Sequence, residues 1–289
     1  MSPPDACQVL DEHQEFAPKR VALVTGSATG IGANIAIDLA AANYRLIVTG
    51  RNSDRLAQVV QQCNHVSGSS QTAVSFAADL YDLKQVDNLI EFIRITFNRL
   101  DVLVNNACYR GEVRNILARG ALDELERVFH VNVSVPMYLV NKCLIPLKPA
   151  GMATVINISS SASQVVVPLH LYSISKACLS EMTRQLSMLT QKLGILSVTV
   201  SPGPVLTNER PHHAAMSSLT LMNRVGTTQE ISNLVIFAIN NAHLFNGQEL
   251  NIDGGYIVKQ KHSTDSVEKM NDTENFGKGS DQSVDSSNR

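Results

Sequence analysis

Short β-branched runs alternate with stretches of helical spacing along most of this chain, and that alternation narrows the fold more than any other feature. From Arg20 the sequence reads "RVALVT", a strand pattern, and then "GIGANIAIDLAAAN", a helical one. "YRLIVTG" and "DRLAQVVQQC" repeat the pair. "TAVSFAADL" precedes "DLKQVDNLIEFIRITF", and "DVLVNNA" follows. After helical stretches through "VSVPMYLVNKCLIPL" come the strand "ATVINIS", a helix holding Tyr172, the strand "GILSVTVSPG" and a last strand candidate, "QELNID". Strands alternating with helices imply βαβ units on a parallel sheet. Such a sheet is covered on both faces, so its strands read as near-continuous apolar runs. These do, and the expected class is α/β with a doubly wound parallel sheet.

No long linker interrupts residues 20–258, so one domain is expected over 19–258, preceded by a flexible arm at 1–18. Residues 259–289 are polar, Ser- and Asp-rich and poor in large apolar side chains. That composition buries too little surface to fold alone, so a disordered tail is expected. A net charge of -2 gives no reason to expect a nucleic-acid or membrane partner. Cys7, Cys63, Cys108, Cys143 and Cys178 are scattered, without a CxxC pair or a His at ligand spacing, so no metal is expected. The pair His212–His213 reads as polar loop. Free thiols fit a reducing compartment. The N-terminus is unlike a signal peptide, and no apolar run reads as long enough to span a bilayer, so a cytoplasmic location is the default.

"VALVTGSATGIGANIA" puts Gly26, Gly30 and Gly32 between the first strand and the first helix. Glycines there let the backbone turn tightly and approach a pyrophosphate, which rests on the N–H groups of the helix N-terminus. The spacing, Thr-Gly-x-x-x-Gly-x-Gly, differs from Gly-x-Gly-x-x-Gly. Its place straight after the first strand still marks a Rossmann-type dinucleotide turn. At the end of the second strand an acid would bond a ribose 2′-hydroxyl, while an arginine would accommodate a 2′-phosphate. The sequence there is "VTGRN", with Gly50 in the acid's place and Arg51 next. A planar guanidinium suits phosphate, so NADP(H) is favoured, with NAD(H) possible. The glycine turn itself contains no second basic residue.

"LYSISKACLS" sets Tyr172 and Lys176 one helical turn apart, on one face. A phenol with a pKa of about 10 keeps its proton at neutral pH, and a nearby cation lowers that pKa. A tyrosine tuned in this way works as an acid or base near pH 7. The pair alone also fits an ordinary helix face.

With these motifs in order, the chain resembles the short-chain dehydrogenase/reductase family in its single-domain form, over nearly everything from Val21 to Gly255. The motifs are "TGSATGIG", "NNAC" at Asn105–Cys108, "VNV" with Asn132, "NISSSAS", "YSISK", "PGPVLT" at Pro202–Thr207 and "IDGGY". The ending "RVGTTQEISNLVIFAINN" through "GQELNIDGGY" looks most like the branch holding 3-oxoacyl-carrier-protein reductases. Cys108 stands where the family has glycine.

The resemblance implies a hydride-transfer enzyme acting on a carbonyl or alcohol. Tyr172 would be its acid/base, Lys176 would lower the tyrosine's pKa and hold the nicotinamide ribose, and Ser160 would bond the substrate oxygen. Asn132 would anchor a water leading from Lys176 to solvent. The Asn-Ile-Ser-Ser frame picks Ser160, whereas the commonest spacing back from the tyrosine picks Ser159; strand register favours the frame. Gly26, Ser27, Thr29, Gly30, Ile31 and Gly32 would meet the pyrophosphate and ribose. Asp79 and Leu80 would hold the adenine edge, Asn106 the adenosine ribose, and Val205 and Thr207 the nicotinamide carboxamide and phosphates. Asp79 also reads as a helix cap before "YDLKQ".

The segment Asn208–Gly226 would close over substrate, with Met216, Leu219, Leu221 and Met222 either lining a pocket or packing as a short helix. His170 and Leu171 are further candidates to face substrate. A homodimer or homotetramer would pair the apolar helices Val131–Leu147 and Tyr172–Leu193. The rival reading is a catalytically silent nicotinamide-binding regulator of the same fold, although a regulator has no need of the Asn132–Ser160–Tyr172–Lys176 set.

Overall fold

Strand β1 (Val21–Thr25) is buried along its whole length, so it has to lie inside a sheet covered on both faces. It does. The computed structural model of the protein describes residues 19–112, 116–149, 151–207 and 216–262. They build one seven-stranded parallel sheet in the order β3-β2-β1-β4-β5-β6-β7. The other strands are β2 (Arg45–Gly50), β3 (Ala73–Ala77), β4 (Val102–Asn105), β5 (Ala153–Ile158), β6 (Ile195–Pro202) and β7 (Glu249–Ile252). Every pairing is parallel; for example, Val24 lies opposite Val48 on one side and Val104 on the other.

One face is covered by α1 (Gly30–Ala41), α2 (Ser53–Ser67) and, late in the chain, the helix Thr228–Asn240. Ile35 and Leu39 of α1, Leu56 of α2, and Ile231 and Val235 of the late helix pack there with Val24, Val104 and Val198. The other face takes α3 (Leu83–Thr96) and the long helix α4 (Ala121–Leu147). Leu89 and Ile93 meet Val135, Leu139 and Leu144 over Leu23, Leu103 and Val155. Local signals set the boundaries. Asn52 caps α2 by accepting from the Arg55 N–H at 2.9 Å, and Asp82 caps α3 by accepting from the Lys84 N–H at 2.9 Å. Asp79, the cap candidate in the sequence, instead accepts from the Tyr81 N–H at 3.0 Å in a tight turn.

By length and composition α4 could cross a membrane, contrary to the expectation that no such run exists. Its Val135, Leu139, Val140 and Leu144 are buried in the core, which accounts for its apolar character. It widens into π-helix at His130–Ser134 and Val140–Leu144, in each case just before a proline, Pro136 and Pro146. A proline cannot donate to the carbonyl four residues back, so the hydrogen-bond ladder has to shift register there. Asn132 sits in the first widened turn.

Helix α5 (His170–Thr190) lies between β5 and β6 in the chain and carries the Tyr–Lys pair. After β7 the chain is again helical over 256–262, so the expected domain end at Val258 falls inside a helix. Lys259 tethers it by donating from Nζ to the Thr220 carbonyl at 3.0 Å. The arm at 1–18 and the tail beyond 262 lie outside the described residues, as do His212 and His213.

Candidate active site

The strand order reverses between β1 and β4, and in open α/β sheets ligands bind beyond the carboxyl ends of the strands at that point. A cleft of about 700 Å³ opens there. At one end is the glycine turn. Gly26 has φ +63, and a Cβ on it would lie 2.7 Å from the Ala107 Cα. Only glycine fits that combination. Asn106 braces the turn from β4, its Nδ2 donating to the carbonyls of Thr25 at 2.9 Å and Gly26 at 3.0 Å. Thr29, at the N-cap of α1, makes no side-chain capping bond to the helix. A helix N-terminus beside a close-approach backbone suits a phosphate, so the residues present fit the pyrophosphate of a dinucleotide.

Gly26, Thr29, Gly30 and Ile31 line the cleft as expected, and Ala28 joins them. Ser27 does not. It is buried, its Oγ donating to the Val24 carbonyl at 2.9 Å and accepting from the Thr49 N–H at 2.9 Å, so it ties β1 to β2 instead of facing a ligand. Gly32 is also off the wall. A Cβ there would lie 2.4 Å from the Asn106 Nδ2 and 2.5 Å from the Gly26 carbonyl oxygen, so this glycine serves packing behind the turn. Asp79, Leu80 and Asn106 line the cleft, as do Val205 and Thr207. Thr207 stands over Gly30, with its Cγ2 3.4 Å from where a Cβ on that glycine would be. Arg51 is exposed at the rim, and Arg55 lines the cleft beside it. Arg55 is the second basic residue that the glycine turn lacks. Its sequence signal is the pair of arginines flanking the helix cap in "GRNSDRL".

At the other end are Tyr172, Lys176 and Ser160. Tyr172 and Lys176 are both buried, at 5% and 1% exposure. Burial pushes the Tyr172 phenol well above its ordinary pKa, and the Cys108 thiol nearby acts in the same direction. The Arg110 guanidinium and a hydrogen bond with Ser160 pull it part of the way back. The Lys176 Nζ lies 5.8 Å from the ring centroid and donates to the Ile158 carbonyl at 2.7 Å. Burial depresses the lysine's own pKa. Arg110 is a second cation over the phenol ring, 5.1 Å from its centroid, and the sequence pattern did not single it out.

Of the three serines, Ser160 lines the cleft with Tyr172, and its Oγ accepts from the Ala162 N–H at 3.2 Å. Ser159 donates to the Lys176 carbonyl at 2.9 Å and accepts from the Ser180 hydroxyl at 3.0 Å, which anchors α5 to β5. Ser161 is buried at the start of a short 3₁₀ turn. Asn132 is set behind the cleft wall. Its Oδ1 accepts from the Tyr109 N–H at 2.7 Å, and its Nδ2 donates to the Tyr109 carbonyl at 2.8 Å and to the Ser175 Oγ at 2.9 Å. It therefore fastens the Cys108–Arg110 strip to α5 with both amide protons committed. His170 accepts from the Ile116 N–H at 3.5 Å, and Leu171 is core. Of the segment Asn208–Gly226, residues 208–215 lie outside the described part. Leu221 packs on Gly255, and none of Met216, Leu219, Leu221 and Met222 lines the cleft.

With this geometry in view, comparison with known proteins is informative. The family profile described as short chain dehydrogenase matches residues 20–216. The chain belongs to the short-chain dehydrogenase/reductase family. It is 32% identical over 188 residues to an uncharacterized oxidoreductase of Staphylococcus saprophyticus, covering 64% of this chain and 78% of that protein. It is 29% identical over 246 residues to a 3-oxoacyl-[acyl-carrier-protein] reductase of Synechocystis, covering 83% and 97% respectively. A short chain dehydrogenase from Burkholderia cenocepacia, solved in complex with NADP, superposes with a TM-score of 0.73 at 30% identity, over 82% of this chain and 97% of that one. Family members are dehydrogenases and reductases, and this chain is an oxidoreductase with a nicotinamide cofactor fold.

Proposed function

We propose that the protein interconverts a carbonyl compound and its alcohol with NADP(H), using Tyr172 as the general acid/base. The observation that carries this reading is a buried phenol sharing one end of a cleft with the Ser160 hydroxyl and the Lys176 ammonium, while a glycine cradle lines the same cleft. When bound, the nicotinamide supplies the hydride to the carbonyl carbon or accepts it in reverse. Tyr172 gives its hydroxyl proton to the carbonyl oxygen as the C–O double bond becomes a single bond, and reclaims it in the oxidative direction. Ser160 donates to the same oxygen and stabilises the charge that develops there. Lys176 uses one ammonium proton on the Ile158 carbonyl and keeps two for ribose hydroxyls. Asn132 holds the Tyr109 backbone, and with it the wall opposite the phenol. Asp79, Leu80 and Asn106 would hold the adenosine, and Val205 and Thr207 the carboxamide and phosphates. Fluorescence titration with NADPH, followed by an absorbance screen of ketones and alcohols, tests the reading. A protein that binds a nicotinamide nucleotide and turns over nothing would return it to the silent-regulator alternative, and one that binds none would remove both readings.

The preference for NADP(H) rests on Arg51 and Arg55 both lining the cleft beyond β2, where Gly50 takes the place an acid would hold. Replacing Arg51 with Ala is expected to weaken NADPH by about 1.5–3 kcal/mol, the value of a charge-assisted contact, and to leave NADH nearly unchanged. The double change with Arg55→Ala should deepen that difference. Equal weakening of both cofactors in a titration would remove the phosphate clamp from the account.

A homodimer or homotetramer is part of the same proposal. Of the apolar residues expected on the pairing helices, Val140, Leu144 and Leu179 are buried within one chain, while Val133, Met182 and Leu186 are half-buried. Met137 at 54% and Leu189 at 67% exposure stay outside, with Ile174 and Met188 beside them. Such patches suit a two-fold, self-complementary contact. Light scattering should give a dimer or tetramer mass, unchanged by truncation after His262; a monomer at micromolar concentration would refute it. The described cysteines Cys63, Cys108, Cys143 and Cys178 are all free, which supports placing the protein in the cytoplasm.

A further inference from the structure

We infer that Arg110 is an anion-recognition residue and that the substrate is an oxo acid, a carbonyl compound with a carboxylate within two or three bonds of the reacting carbon. The inference rests on the reading of Tyr172 as the acid/base. Arg110 lines the cleft, half-buried, with its guanidinium 5.1 Å from the centroid of the phenol ring. Among the described residues no carboxylate pairs with it. Glu124, which packs against the same strip, is engaged elsewhere, accepting from the Tyr109 hydroxyl at 3.0 Å and from the Glu112 N–H. The only carboxylate on the described walls of the cleft is Asp79, which is tied to the Tyr81 N–H.

An arginine held at the edge of a low-dielectric cleft with no acid opposite is a binding position for an incoming anion. Cofactor phosphates do not account for it, because the turn that fits them, Gly26 to Gly32 under Thr207, is at the opposite end of the cleft from Tyr172 and Ser160. The Arg110 guanidinium, 5.1 Å from the phenol ring centroid, lines the same cleft as the Tyr172 and Ser160 hydroxyls, so a small molecule whose carbonyl oxygen meets those hydroxyls has Arg110 available for its carboxylate. Asn132 fixes the backbone of Tyr109 next to it, so the arginine projects from a pinned strip and not from a loose loop.

Two measurements test this. The first needs no turnover. Cys108 is exposed in the same cleft two residues away, so its alkylation reports the local field. In the full-length protein, the rate of Cys108 modification by iodoacetate relative to iodoacetamide, followed by peptide mass, should fall at least about 3-fold in Arg110→Gln and be kept in Arg110→Lys. The second compares 2-oxobutanoate and 3-oxobutanoate with their methyl esters. The wild-type protein should favour the acids in kcat/KM, and Arg110→Gln should lower the acids about 10–100-fold more than the esters. An unchanged alkylation ratio overturns the proposal, as does an equal loss on acids and esters, which would mean that Arg110 serves only to tune the phenol. If neither pair is turned over, the alkylation ratio alone decides. Turnover that survives Tyr172→Phe would sink the acid/base reading, while the Cys108 ratio would still report on Arg110.

Discussion

Tyr172→Phe is expected to bind NADPH within about 2-fold of the parent and to lose roughly 10²–10⁴-fold in turnover, the usual contribution of a positioned proton donor. The substitution removes one hydroxyl while leaving the ring, which stays buried beneath Arg110. Folding should be little affected, so a loss of rate would report chemistry. The direction of the pKa shift adds a second reading. Burial holds the phenol above its ordinary range, so the tyrosine enters the reaction protonated across neutral pH. Carbonyl reduction, which consumes that proton, should vary little with pH through the neutral range. Alcohol oxidation needs the deprotonated form and should rise as pH rises. Steady-state rates in both directions, with cofactor affinity measured separately, check this. Turnover by the Phe variant within 10-fold of the parent would remove Tyr172 from the chemistry.

The sheet and the glycine turn were legible because their signals are local and redundant. A β-branched run that is apolar throughout has few places to go except the middle of a covered sheet, as β1 and β5 show. Gly26 and the order of motifs marked the tight turn after β1 from the sequence alone. What the pattern could not carry was side-chain direction at strand ends. Ser27 lies within the glycine-turn motif, yet its hydroxyl turns into the protein to join β1 to β2. Neighbouring residues at a strand end point opposite ways, so a motif can be right while one of its members faces the wrong side. Asn132 was set back from the cleft by a π-turn that precedes Pro136, and a helical wheel does not show such a turn. Arg110 went unmarked because its importance comes from the phenol it covers, which lies 62 residues further along the chain. Lys176 illustrates the same limit. The i, i+4 spacing put it on the tyrosine's face, but did not show that one of its ammonium protons goes to the buried Ile158 carbonyl.

At the opposite end of the cleft, Gly26→Ala is expected to abolish nucleotide binding and to destabilise the fold as well. The residue's φ of +63 is strained for any side chain, at about 1–2 kcal/mol. The added Cβ would also stand 2.7 Å from the Ala107 Cα and 3.0 Å from its nitrogen, and this neighbour is backbone, which cannot rotate away. Ala107 is itself held, its N–H donating to the Thr25 Oγ1 at 3.1 Å, an oxygen that also accepts from the Asn106 N–H at 3.0 Å. Either β4 moves and gives up these bonds, or the turn opens and the Asn106 amide loses the carbonyls of Thr25 and Gly26. Overpacking of this kind costs about 1–3 kcal/mol. Together with the strain this should lower the melting temperature by roughly 5–15 °C for a domain of this size. Either relaxation displaces the N–H groups that would meet the pyrophosphate, so NADPH titration should show affinity reduced beyond measurement while circular dichroism below the melting point keeps the α/β signal. This outcome is the mirror of Tyr172→Phe, with binding lost at one end of the cleft and chemistry at the other. A Gly26→Ala protein that bound NADPH at near-parent affinity would mean that the nucleotide does not rest on this turn.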